Sequence, residues 1–241
     1  MKAPVFLLII LAATCFSSCS KDPLDRASGT FTDSRDSHVY KTIKIGDQTW
    51  MAENLAYLPF VTPITTSSRT EPCIYVYGYQ GDEWAEAKNV ESFNTYGALY
   101  NIQAALTLCP PGWHLPSMDE WREMADYLVA NGYNYDGTDS LYKIAKALAS
   151  TSYWEISDVE GSPGFEPEKN NSSGLSLEPG GYMASAGAFK KMGTVGYWWT
   201  STCSDDWYYG IQRVTNTSTT IGFGTEGYTG GGWSVRCVKD R

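Results

Sequence analysis

Six cysteines and two histidines are the side chains of this 241-residue chain best suited to covalent or proton-transfer chemistry. The cysteines are Cys15, Cys19, Cys73, Cys109, Cys203 and Cys237; the histidines are His38 and His114. A thiol nucleophile needs a base beside it, and the choice here is narrow. His38 borders a polar segment, and His114 lies in a Gly-Trp-His-Leu-Pro turn, where an imidazole is expected to bond backbone rather than move protons. No C-x-x-C pair or histidine cluster accompanies the cysteines, so metal binding is the poorer account of them. No nucleophile elbow is present, and Gly230-Gly231-Gly232 has no helix behind it to cradle a phosphate. Paired carboxylates would need Asp205, Asp206, Glu166 and Glu168 to meet in space, whereas acidic loop residues usually face water. These residues predict a protein that is not an enzyme and needs no cofactor.

The elements that must carry such side chains are set by composition. With 42% hydrophobic and 14% aromatic residues the chain is globular rather than disordered, and one domain with a tail accounts for its length. Eighteen basic against 27 acidic side chains leave a net charge of −9. That balance excludes nucleic acid as a partner, since no basic footprint exists to displace counterions from phosphates. It also disfavours electrostatic docking on anionic lipid.

Residues 1–18 read as an export signal. Lys2 precedes the apolar run Val5 to Ala13, which is too short to span a bilayer. Phe16-Ser17-Ser18-Cys19 resembles a bacterial lipobox, which makes Cys19 the expected lipidation site. Cys15, after Ala12-Ala13-Thr14, is the competing candidate, but the polar Ser20-Lys21-Asp22 follows Cys19 directly. The expected location is the outer membrane, lipid-anchored and facing the cell surface, with the membrane touched only through the anchor. Residues 19–37 are polar and aperiodic and read as a flexible tether, leaving residues 38–241 as the domain. Cys73, Cys109, Cys203 and Cys237 are then an even set in an oxidising compartment. Spacing leaves all three pairings open.

Within the domain, Val39, Ile43 and Ile45 share one parity and are followed by a Gly46-Asp47 turn and a return strand over Gln48 to Met51. A helix is expected over Asn94 to Leu108, on the stripe Leu99, Ile102 and Leu106. Ser117-Met118-Asp119-Glu120 is a capping box, and Trp121, Met124, Ala125, Leu128 and Val129 follow it at the helical period up to Gly132. A shorter helix from Leu141 to Ala149 would be buried through Leu141, Ile144, Ala145 and Leu148. From Tyr153 onward Gly, Ser, Thr, Asn and aromatics dominate, giving loops and short strands as far as Val235 to Val238. Helices followed by strands make the class α+β.

Several blocks, taken in order, resemble the Fibrobacter succinogenes major paralogous domain. They are Val39 through Leu55 (with Ile45-Gly46-Asp47-Gln48-Thr49-Trp50-Met51-Ala52-Glu53-Asn54-Leu55), Tyr96-Gly97-Ala98-Leu99-Tyr100-Asn101 and Cys109-Pro110-Pro111-Gly112-Trp113-His114-Leu115-Pro116. Later come Pro179-Gly180-Gly181-Tyr182, Gly196-Tyr197-Trp198-Trp199-Thr200-Ser201 and Ser234-Val235-Arg236-Cys237-Val238. Glu155 to Ser173 departs most and reads as a loop insertion. The Leu-Pro-Ser-x-x-Glu-Trp helix start and the terminal Arg-Cys strand are also similar to the formylglycine-generating-enzyme and C-type-lectin-like superfamily. That resemblance implies a C-type-lectin-like fold, with two or three helices on small, mostly antiparallel sheets and a loop-rich C-terminal half. It implies a Cys109–Cys237 disulfide, which leaves Cys73 and Cys203 as the second pair. Formylglycine-type oxidation needs two neighbouring redox cysteines, and Thr202-Cys203-Ser204 offers one. Glu166-Pro167-Glu168 is similar to part of a lectin calcium loop, but the accompanying Trp-Asn-Asp strand is missing.

Tyr197, Trp198, Trp199, Trp207, Tyr208, Tyr209, Tyr228 and Trp233 crowd the C-terminal third. Alternation along strands should bury one of Trp198 and Trp199, together with Trp121 and Trp113. Trp207, Tyr208 and Tyr209, beside Asp205 and Asp206, form the expected ligand-binding patch, because exposed aromatics next to acids stack on sugar faces and bond hydroxyls. The expected partner is a glycan or fibre component. The alternative is a surface protein, with the chain as an accessory subunit of an outer-surface assembly.

Overall fold

The computed structural model describes residues 28–184, 187–205, 208–226 and 230–241. Residues 1–27, with Cys15 and Cys19, and Asp206, Trp207 and Tyr228 lie outside the described residues. The strands are β1 (Ser28–Thr32), β2 (Val39–Ile45), β3 (Gln48–Met51), β4 (Ile74–Tyr75), β5 (Leu99–Tyr100) and β6 (Trp113–His114). They continue with β7 (Tyr182–Ala184), β8 (Ala188–Lys190), β9 (Val195–Asp205), β10 (Tyr208–Thr215), β11 (Gly222–Glu226) and β12 (Val238–Lys239). The helices are α1 (Trp84–Ala87), α2 (Glu91–Tyr96), α3 (Ile102–Ala105), α4 (Met118–Ala130) and α5 (Ala145–Leu148). The class is mixed, with short helices on small antiparallel sheets: β1-β2-β3-β12-β6, β11-β10-β9, β4-β5 and β7-β8.

The β2–β3 hairpin turns at Gly46, whose φ of +60° suits glycine, and closes with Ile45 opposite Gln48. Val39 is exposed, contrary to the parity argument, whereas Tyr40 and Thr42 on the opposite face are buried along with Ile43 and Ile45. The strand is covered on both faces over much of its length. The α4 capping box is present: Ser117 Oγ accepts from the Glu120 amide at 3.2 Å, and Glu120 Oε2 accepts from the Ser117 amide at 2.8 Å. Trp121, Met124, Ala125 and Leu128 are fully buried on one stripe, and each large side chain contributes roughly 1.5–3 kcal/mol by leaving water.

Two large apolar clusters and a small one of Cys73, Tyr75, Leu99 and Met183 make the core, and β9 contributes to both large ones. Trp198 belongs to the cluster of Trp50, Trp121 and Leu128, while Trp199 belongs to that of Tyr100, Trp113 and Trp233. Both neighbouring tryptophans are therefore buried, where simple alternation expected one. Each indole finds an acceptor: Trp198 Nε1 donates to Asn54 Oδ1 at 2.8 Å and Trp199 Nε1 to the Tyr100 carbonyl at 2.7 Å.

Four further expectations are corrected. Residues 28–37, read as tether, are part of the fold: β1 pairs with β2, Phe31 packs on Trp113 at 5.1 Å, and the buried Asp33 is bound by Arg35. Their few apolar residues hid an edge strand held by backbone bonds. The helix expected over Asn94 to Leu108 is broken in two by Gly97, at φ +72° and ψ −154°, and Leu99–Tyr100 pairs with β4 instead. Leu141, expected to be buried, has φ +60° and is 69% exposed, so α5 starts only at Ala145. Ile144, Ala145 and Leu148 are buried as expected.

The fourth concerns sulfur. Cys109 and Cys237 form a disulfide with Cα atoms 6.0 Å apart and a sequence separation of 128. It clamps the approach to β6 onto the approach to β12, and closing so long a loop is worth about 4–5 kcal/mol on chain-entropy grounds. Cys73 and Cys203 are not joined. Cys73 is buried at the entry to β4, its amide donating to Asn101 Oδ1 at 2.9 Å, and Cys203 is exposed on β9 in a different sheet.

Candidate functional site

A cleft of about 340 Å³ opens where the irregular segment after β3, helix α2 and the long loop before β7 converge. Its floor is built from close backbone approaches. Asn54 is buried and fully engaged, donating to the Tyr96 carbonyl at 3.0 Å and accepting from Trp198. Gly97 has to be glycine, because a Cβ there would lie 2.6 Å from the Leu55 carbonyl oxygen. Phe93 supplies an apolar wall, and His38, Asn94 and Thr95 form the rim.

Two carboxylates face this space. Glu53 is occupied: one oxygen accepts from the Lys41 amide at 3.1 Å and the other lies 3.3 Å from Lys41 Nζ. Glu178 is not. Its backbone is fixed, because Leu177 exchanges hydrogen bonds with Leu148 and Ser150 and Gly181 donates to Val195. Its carboxyl accepts no hydrogen bond from any described residue. Burial pushes it up to about 7, Glu53 adds to that, and Arg236 and Lys41 oppose it without cancelling it.

Arg236 lies behind Glu178 and is wholly buried. It donates to the carbonyls of Leu175 at 3.3 Å and Ser176 at 3.1 Å, while its Nε has no partner among the described residues. Burial holds its pKa down at about 10, against the pull of Glu178 and Glu53. Both members of this pair are therefore shifted against their charges, so desolvation outweighs attraction.

Tyr153 stands over the cleft with φ +73°, a conformation that costs a non-glycine residue energy. It is 58% exposed, and its ring meets Tyr96 edge-on at 5.5 Å. Burial raises Tyr96 to about 12, with Tyr153 and Glu178 adding to the effect.

The site residues expected from sequence lie elsewhere. Asp205 ends β9, Tyr208 is 47% exposed opposite it, and Tyr209 packs partly against the core. His114 does not bond backbone: Nδ1 lies 2.7 Å from Asp240 and Nε2 2.8 Å from Glu120. Burial works against its charge, but those two contacts carry its pKa above the ordinary value. Asp136, in the loop before α5, is held by Lys143 Nζ at 2.5 Å and was not among the residues expected to form a site. Among the described residues no group of three His, Cys, Asp or Glu side chains is placed to hold a metal, and no helix is long and apolar enough to cross a membrane.

Sequence reasoning passed over Glu53, Tyr153, Glu178 and Arg236. The available signal was Arg236 itself: a charge inside Val235-Arg236-Cys237-Val238 must either point outward or find compensation.

Residues 43–239 match the Fibrobacter succinogenes major domain, and the chain belongs to that family. No curated protein and no solved structure matches it.

Proposed function

We propose that the protein is a non-catalytic binding module, held at the cell surface by a lipid on Cys19, whose ligand is a glycan or fibre component. The observation that carries this reading is the Glu178 cleft, in which a half-buried carboxyl lacks a protein donor beside an exposed tyrosine. Polar groups converging in a small concavity with an aromatic wall suit a hydroxyl-rich ligand. A C-type-lectin-like ancestry supports it by analogy, through the capped α4 and the Cys109–Cys237 clamp on the last strand. Two carboxylates in one cleft also raise glycoside hydrolysis. Glu53 is committed to Lys41, however, and is a poor nucleophile or base in that state, so binding is favoured. The test is an array of surface polysaccharides probed with the purified domain. Retention of at least one without release of shorter products is expected; retention of none refutes the reading, and product release turns it into a hydrolase. For the anchor, Cys19→Ala should release the protein from membranes, and undiminished membrane association would refute lipidation there.

A further inference from the structure

Resting on that reading, we propose that Glu178 and Tyr153 form a subsite for an uncharged sugar ring, with the Glu178 carboxyl taking its hydroxyls and the Tyr153 ring covering its apolar face. Four observations converge on it. The Glu178 side chain is half-buried on a fixed backbone, faces the cleft, and accepts nothing from the described protein, so its oxygens are available to donors that enter. A carboxylate in a cleft without a protein donor is completed by water or by a ligand. Tyr153 is held out at positive φ, and strain of this kind persists where the surroundings enforce it.

The charge count selects the ligand. Glu53 and Glu178 are matched by Lys41 and Arg236, which oppose the raised pKa of Glu178. Above pH 7, where Glu178 is ionised, the local charges are balanced and the cleft has no surplus to attract an amino sugar or a uronic acid. What it offers is hydrogen-bond acceptors, the rim amide of Asn94 and an aromatic face, and a neutral pyranose is complementary to these.

The test uses isothermal titration of the purified protein with five probes: cellohexaose, xylohexaose, mannohexaose, a chitosan hexamer and a galacturonate hexamer. Tyr153→Gly, Glu178→Gln and Tyr208→Ala are compared with the unsubstituted protein. Glycine fits the φ of Tyr153, so Tyr153→Gly should fold normally and still bind the preferred neutral hexamer at least tenfold more weakly. Glu178→Gln should weaken it at least fivefold, and Tyr208→Ala should leave it unchanged. If a hexamer binds and both cleft variants retain full affinity, the subsite is refuted while the binding reading stands. Preference for a charged hexamer refutes the neutral assignment alone. If polysaccharides are retained on the array but none of these hexamers binds, the subsite falls; if the array is also blank, both proposals fall together.

Discussion

Glu120 and Glu178 carry the same carboxyl group, and the molecule treats them in opposite ways. Glu120 is saturated: it accepts from the Ser117 amide, the Ser117 hydroxyl and His114. Burial works against its charge, but these bonds outweigh burial and hold its pKa below the usual carboxylate value. Glu178 accepts no hydrogen bond and has only the charges of Arg236 and Lys41 to set against burial, and it rises to about 7. One carboxyl is spent on folding, fixing the start of α4 and tying it through His114 to Asp240. The other is left open in a cleft. The contrast separates a carboxyl used up by the structure from one left available to the proposed ligand.

Both sites hang on the same C-terminal segment, since Arg236 and Asp240 flank Cys237. The largest effect should therefore come from Cys109→Ser with Cys237→Ser, which removes the shared clamp. A loss of about 4–5 kcal/mol in denaturant unfolding is expected, with both sites loosened together. Next, Gly97→Ala should cost about 2–3 kcal/mol by strain and by its clash with Leu55, and it should deform the cleft while leaving the His114 site intact.

The third test is a pH series. Glu178 has an ordinary value of 4.5 unfolded and about 7 folded, so the folded protein holds the proton more tightly. Its contribution to stability is complete below pH 4.5 and is lost as pH rises through 7. Glu178→Gln should abolish that loss, stabilising the protein by about 2–3 kcal/mol at pH 8 and leaving it unchanged at pH 4. His114, whose pKa is also raised, tilts stability in the same direction. The informative quantity is therefore the difference between the two proteins at each pH. The smallest effect belongs to Ser117→Ala, about 1 kcal/mol from loss of the cap, and it should leave sugar binding untouched.

Local rules made part of this legible in the sequence. The capping box, the Gly46 turn and the burial of Trp121 follow from spacing alone, because each is decided within a few residues. The break at Gly97 was missed because Leu99, Ile102 and Leu106 fit a helical stripe, while pairing with β4 lies outside any local window. Trp198 and Trp199 are both interior because β9 has core on two sides, a fact of packing that alternation does not contain. The Glu178 cleft was illegible for the same reason: nothing in Leu177-Glu178-Pro179 says that Arg236, 58 residues on, will sit wholly buried behind it.

The most direct test follows the Glu178 carboxyl carbon by NMR through a pH titration, without and with a saturating neutral hexasaccharide. The account predicts a midpoint near 7 in the unliganded protein. It also predicts a fall when sugar hydroxyls donate to the ionised carboxylate, since such donors favour the charged form. A midpoint at the ordinary 4.5, or one near 7 that saturating sugar does not move, would contradict it.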